Sequence, residues 1–253
     1  MRRRDGHKAV RKLVSEIYSP PRITDLIKRT RSRHLMAGFA LDLTVLDEDG
    51  QPWDFNVQEK REKARRMVRE QKPYMLIGSP ACKEFSTWQA LNLAKAKDPE
   101  AMRRARAASI LHLDFVASLY LEQAGGGTYL FHEHPSGASS WKVPSIEQVL
   151  ERADVQRVNC DQCQFGATVQ HGKLKGEPVK KPTGFMTNAP EVANALEVRC
   201  TGRGGACSRP GGGTHALCPG RTARDPQVYP RDLCRAVLKG IRNQLRAEGT
   251  LKS

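Results

Sequence analysis

The chain contains no run approaching the roughly 20 apolar residues that a membrane span requires, so no membrane partner is expected. No basic-then-apolar leader precedes the first regular element, and no secretory signal is read. No internal repeat is present. Acids are scarce: 27 Asp and Glu stand against 42 Lys and Arg, a net charge of +15. That imbalance says little about fold, but it draws polyanions, most often nucleic acid. Cysteine is limited to seven residues, an odd number. Without a leader the expected setting is reducing, hence intracellular: nuclear in a eukaryote, cytoplasmic otherwise. In that setting the cysteines are catalytic, metal-binding or simply buried. Hydrophobic residues make up 39% of 253, a low share that still builds a real core at this length.

The positive charge is uneven. Residues 1–34 hold eleven Lys or Arg and three acids, and 1–11 read as a basic arm. Beyond it, apolar runs alternate with helical patterns. Strands are expected at Lys12–Tyr18, Gly38–Leu43, Tyr74–Gly78, Thr128–Phe131, Val155–Cys160 and Gly184–Thr187. Helices are expected at Ile23–Arg33, Val57–Gln71, Asp98–Gln123, Pro144–Arg152, Pro190–Leu196 and Tyr229–Leu245, with Asp98 as an N-cap before Pro99. Alternation of this kind predicts an α/β domain with a doubly wound, mostly parallel sheet. The expected division is a core over 12–165, a basic Cys/His-containing insertion over 166–226, and a C-terminal helix over 227–253 that packs back on the core.

Two apolar runs end on reactive groups. Tyr74–Gly78 leads into Ser79-Pro80-Ala81-Cys82, and Tyr129-Leu130-Phe131 leads into His132-Glu133-His134-Pro135. Strand ends that deliver a thiol and a carboxyl are how an open α/β sheet builds a site at its carboxyl edge. A thiolate at Cys82 suits covalent catalysis, and a carboxyl at Glu133 suits proton donation to a ring nitrogen. The plain alternatives are a buried structural Cys82 and a polar strand end at 132–134. Alternate strand residues share a face, so His132 and His134 point one way and Glu133 the other. A metal-dependent hydrolase using all three is a further reading, and it lacks a second carboxylate cluster.

The segment Gly78-Ser79-Pro80-Ala81-Cys82-Lys83-Glu84-Phe85-Ser86 resembles the catalytic loop of DNA cytosine-5 methyltransferases, and His132-Glu133-His134 falls where that family has its Glu-Asn-Val strand end. Glu16-Ile17-Tyr18-Ser19 is similar to the family's opening acid-Leu-Phe-Ser motif. The order of motifs is followed over about residues 10–245, and the same arrangement is similar to domains of mobile-element and phage-type reading frames. The resemblance implies a Rossmann-like methyltransferase fold, S-adenosylmethionine as cofactor and DNA as partner, with RNA an open alternative and no oligomeric state specified. It implies that Cys82 is the nucleophile and Glu133 the acid. Glu16, Tyr18, Ser19, Asp42, Asp54, Ser79 and Pro80 would line the cofactor pocket, and Lys83, Ser86, Lys180, Lys181 and Arg203 would contact nucleic acid. The family's Gly-x-Gly turn is replaced by Pro20-Pro21-Arg22, its Pro before the nucleophile by Ala81, and its Gln after it by Lys83. The competing reading is a nucleic-acid-binding module on a degenerate methyltransferase fold.

The Gly/Arg/Pro-rich stretch 199–226 offers Cys200, Cys207, His215 and Cys218 as soft ligands. Zinc favours tetrahedral Cys/His sets, and a segment this poor in apolar residues would gain from a metal the order it cannot gain from a core. A second short pair, Cys160 and Cys163, lies upstream. Two readings stand: a structural zinc on this set, or scattered thiols in a basic flexible loop.

Overall fold

A computed structural model describes residues 11–86, 98–216 and 229–251. The strands are β1 (Lys12–Ile17), β2 (Leu35–Leu41), β3 (Met75–Gly78), β4 (Tyr129–Pro135), β5 (Gln156–Asp161) and β6 (Pro182–Thr187). The α-helices are α1 (Ile23–Thr30), α2 (Gln58–Gln71), α3 (Pro99–Gly125), α4 (Pro144–Leu150), α5 (Pro190–Leu196) and α6 (Arg231–Ala247). They form one six-stranded sheet in the order β2-β1-β3-β4-β6-β5. β1 pairs parallel with β2 and β3, and β3 parallel with β4. β6 runs antiparallel to both neighbours. The result is an α/β fold with a mostly parallel, doubly wound sheet flanked by helices on both faces.

Strand alternation sorts the core into two layers. Val14, Met75, Ile77, Phe131 and Phe185 face α1, α5 and α6, where Ile23, Ile27, Val192, Leu233, Val237 and Ile241 meet them. Ile17, Leu76, Leu130 and Met186 face α2, α3 and α4, where Val68, Leu113, Val116, Tyr120 and Ile146 meet them. Central strands buried on both faces read as continuous apolar runs; β3, Met-Leu-Ile-Gly, is buried throughout. Gly78 at its end has a packing reason. A Cβ there would stand 2.0 Å from the Tyr120 hydroxyl, so only glycine lets α3 approach this strand. Asp98 caps α3 as its sequence suggests, accepting from the Ala101 amide at 2.8 Å.

The division at 165 needs correction. β6, inside 166–226, sits between β4 and β5 and bonds to both. The segment that reads as an insertion therefore supplies an inner strand; its elaboration is confined to the loops on either side. α6 packs back on the core against α5 and α1. Among the described residues, no helix is long and apolar enough to cross a membrane.

Candidate active site

The chain leaves β1 toward β2 on one side and returns to β3 on the other. Such a switch point opens a crevice beyond the carboxyl ends of the two strands. A cleft of about 260 Å³ lies there, lined by Tyr18, Arg22, Asp42, Trp53, Asp54, Phe55, Ser79, Ala81 and His112 among others. Tyr18, Asp42, Asp54 and Ser79, named together from the sequence, share the lining of this one cleft. Asp42 and Asp54 each use Oδ1 to close their own turn, onto the amides of Thr44 and Asn56 at 3.0 and 2.9 Å. Among the described residues Oδ2 of each has no hydrogen-bond partner.

Tyr18 turns the chain at the end of β1 with φ 54°. This left-handed conformation is costly without glycine, about 1–3 kcal/mol. Surrounding contacts hold it: its ring lies 4.6 Å from that of Phe55 and its hydroxyl meets His112 Nδ1 at 3.0 Å. Burial pushes the Tyr18 phenol far up and the His112 ring down, so both are neutral at pH 7.

Glu16, Ser19 and Pro80 do not line the cleft. The Glu16 carboxylate is buried against the start of α1. It accepts from the backbone amides of Arg22, Ile23 and Thr24 (3.1, 3.2 and 2.8 Å) and from the hydroxyls of Thr24 and Ser19 (2.6 and 3.1 Å). The residue at the N-cap, Arg22, makes no side-chain cap; Glu16 does that work from the preceding strand. Ser19 serves as one of its donors. Pro80 contributes its carbonyl, to which His134 Nε2 donates at 2.9 Å. A carbonyl only accepts, so Nε2 carries the proton and Nδ1 accepts from the Ser140 hydroxyl at 2.6 Å. Burial lowers the ring's proton affinity, in keeping with this neutral form. His134 therefore ties the loop that bears Cys82 to β4.

Cys82 is half-buried just before the 3₁₀ turn Lys83–Phe85. Burial pushes its thiol up, the Glu133 charge adds to the rise and the Lys181 ammonium opposes it. β3 pairs parallel with β4, with Gly78 opposite His132, so the loop bearing Cys82 leaves the sheet beside the strand end that carries Glu133. Glu133 is on the α6 side of the sheet, 8% exposed, with Lys181 Nζ 3.9 Å from its Oε1. His132 and His134 lie on the opposite side, buried, with ring centroids 4.8 Å apart. His132 Nδ1 meets the Tyr120 hydroxyl at 3.2 Å. With Glu133 on the other face and both His134 nitrogens engaged, the three do not form a metal site.

Lys83 is largely exposed, 3.6 Å from Glu84. Ser86 is the last described residue before 87–97. Lys180 is half-buried beside Lys181, and Arg203 is exposed on the 199–216 loop. Two contributors are missed by sequence reasoning. His112 sits on the core face of α3 and carries no local signal. Tyr229, buried, reaches in from the C-terminal segment to meet the Ser79 hydroxyl at 2.7 Å, and Arg22 lies 4.4 Å from its ring.

Away from the cleft, Cys163, Cys200, Cys207 and His215 bring their ligand atoms within 4.8 Å of one another, a set able to hold a metal. Cys163 joins three of the residues that spacing names, Cys200, Cys207 and His215; the fourth of them, Cys218, lies outside the described residues. Cys160 does not join. It points from β5 into the core.

No protein-family model matches this chain, and no curated protein matches it. Among solved structures, a methyltransferase of Entamoeba histolytica is similar, with a TM-score of 0.37 and 15% identity. The alignment covers 70% of this chain and 52% of that one, so the chain spans about half the length of that structure. A likeness of this degree says nothing about reaction or substrate; the fold assignment rests on the strand order.

Proposed function

We propose that the protein is an S-adenosylmethionine-dependent DNA methyltransferase acting at carbon 5 of cytosine. The observation that carries this reading is the cleft at the switch point. It runs from Tyr18, Asp42 and Asp54 to Ala81, and the next residue is Cys82, on the loop that His134 ties to the strand bearing Glu133. The cleft suits the cofactor: Trp53, Phe55 and Tyr18 offer faces for an adenine, and the open oxygens of Asp42 and Asp54 can accept from ribose hydroxyls and an exocyclic amine. Pro20 and Pro21 do not line it, so the missing glycine turn does not obstruct it. When bound, the cofactor supplies an electrophilic methyl group.

The chain's own residues would do the rest. A flipped cytosine would lie between Cys82 and Glu133. The Cys82 thiolate would add to carbon 6, opening the carbon 5–carbon 6 double bond, while protonated Glu133 donates to ring nitrogen 3; once carbon 5 carries the methyl group, loss of its proton expels the Cys82 thiolate and restores the ring. His134 keeps the Pro80 carbonyl, and hence the Cys82 loop, in register with β4. Lys83, Ser86, Lys180, Lys181 and Arg203 would meet phosphates.

A second reading, a nucleic-acid-binding module without catalysis, is favoured by one observation. The amides at the start of α1 are spent on Glu16 and no glycine turn follows β1. Calorimetric titration with S-adenosylmethionine separates the two. The enzyme binds it, and it then forms a covalent adduct with 5-fluorocytosine DNA that Cys82→Ser abolishes. No cofactor binding together with retained DNA binding would establish the module instead.

A further inference from the structure

We propose that Cys163, Cys200, Cys207 and His215 hold one zinc ion, a structural knuckle that fastens the 199–216 loop to the end of β5. The distances fit the metal. Zinc bonds of about 2.3 Å to sulfur and about 2.0–2.1 Å to nitrogen set tetrahedral edges of roughly 3.8 Å between sulfurs and roughly 3.6 Å between sulfur and nitrogen. Cys200 Sγ lies 3.9 Å from Cys207 Sγ and 3.6 Å from His215 Nε2. A disulfide would need its sulfurs at about 2.05 Å, so these thiols are spaced to share an ion and not to bond to each other.

The surroundings are built for thiolates. The Ser208 amide and hydroxyl reach Cys200 Sγ at 3.4 and 3.5 Å. Gln164 Nε2 reaches Cys163 Sγ at 3.6 Å and Cys207 Sγ at 3.9 Å. Donors to ligand sulfur are the outer contacts that orient and tune a metal site. Gly202 is required for the turn between the first two loop ligands, since a Cβ there would fall 2.1 Å from the Ala206 carbonyl oxygen. Among the described residues the buried cluster at this place consists of Cys163, Cys200 and Cys207 alone, with no aliphatic side chain in it. A metal would therefore add to the loop's backbone bonds, such as Cys207 to Gly213 and His215 to Gly205, the closure that a core does not give.

The anchor on the core side is Asp161, buried at the end of β5. Its Oδ2 accepts from the Cys200 amide at 2.9 Å and from Arg199 Nε at 3.0 Å. Cys163 belongs to the 3₁₀ turn Gln162–Phe165, and the Gln162 amide donates to the Lys181 carbonyl at 3.3 Å. Lys181, at φ 29°, then directs its ammonium to Glu133. The ion thus braces the turn that seats Lys181, and it presents the exposed Arg203 on a rigid loop.

The test uses the full chain purified under reducing conditions, with zinc measured by elemental analysis and by competition with a chromogenic chelator. The expected result is one zinc per chain in the native protein and in Cys218→Ser, with affinity lowered by more than about 100-fold in Cys163→Ser, beyond the loss typical of outer-shell changes. Because Cys163→Ser can fail through misfolding, Cys163→His is measured beside it. It should keep the metal, and its cobalt form should lose about a third of the thiolate charge-transfer intensity, as three sulfurs become two. A native chain that takes up no zinc overturns the proposal. So does loss of the metal in Cys218→Ser with retention in Cys163→Ser. Neither cofactor nor nucleic acid enters the measurement, so its failure leaves the reading of the cleft untouched.

Discussion

Replacing Glu16 by Gln tests whether this acid serves the ligand or the fold. The change keeps size and removes charge. The native carboxylate collects three backbone amides and two hydroxyls while 1% exposed. The amide presents an NH₂ to the same donors, so at least two of those contacts become donor-to-donor. Each hydrogen bond to a charged group contributes about 1.5–3 kcal/mol, and the charge at the helix start adds about 0.3–1 kcal/mol. Side-chain relaxation recovers part of this, leaving a loss of about 3–5 kcal/mol. For a chain of this size each kcal/mol moves the melting temperature by about 2–4 °C, so Glu16→Gln should lower it by roughly 6–20 °C. Differential scanning calorimetry reads the shift, and S-adenosylmethionine titration below the transition reads affinity. A variant that melts within about 2 °C of the native chain but binds the cofactor far more weakly would refute the capping argument and restore Glu16 to the ligand site.

Gly78→Ala should cost about 1–3 kcal/mol or more by overpacking, and Tyr120→Phe, which removes the atom 2.0 Å from the new Cβ, should recover part of it; additive losses in denaturant melts would show that the two do not meet. Alkylation at Cys82, followed by peptide mass spectrometry, should be slow at neutral pH and climb through alkaline pH. A raised thiol pKa means that the thiolate appears only above its ordinary range near 9. Glu133→Gln should shift that profile to lower pH, and an unmoved profile would separate the two groups. Duplex DNA affinity should fall steeply with salt. Deleting residues 1–10, with Arg2, Arg3, Arg4 and Lys8, should reduce the log–log slope by up to about 3.6, or about 0.9 for each phosphate that the arm neutralises; an unchanged slope would exclude the arm from the DNA interface.

The layered α/β architecture is legible in the sequence because its central strands are buried on both faces and stand out as apolar runs. The same reasoning places Cys82 and Glu133 at neighbouring strand ends, and β3 and β4 are indeed paired. Other features depend on tertiary contacts that no local pattern carries. β6 is inner because it returns antiparallel between β4 and β5, whereas its Lys-rich approach reads as loop. An acid at a strand end can meet a ligand or a helix start, and only the direction taken by α1 assigns Glu16. Ligand spacing favours cysteines close in sequence. Cys163 reaches the cluster because the Asp161 amide bonds to the Val198 carbonyl at 3.0 Å, which brings β5 alongside the segment that leads to Cys200.

The bond between Tyr229 and Ser79 joins residues 150 positions apart, and Tyr74 donates to Glu248 across 174. The C-terminal helix covers the face of the sheet that carries Val14, Ile77 and Phe131. During synthesis the first strands leave the ribosome long before their cover exists, and closure of such distant pairs is slow. A nascent chain stopped short of Tyr229 would present an open apolar sheet face and a cleft with no support behind Ser79. Docking of α6 is thus what covers that sheet face and backs Ser79 at the rim of the cleft.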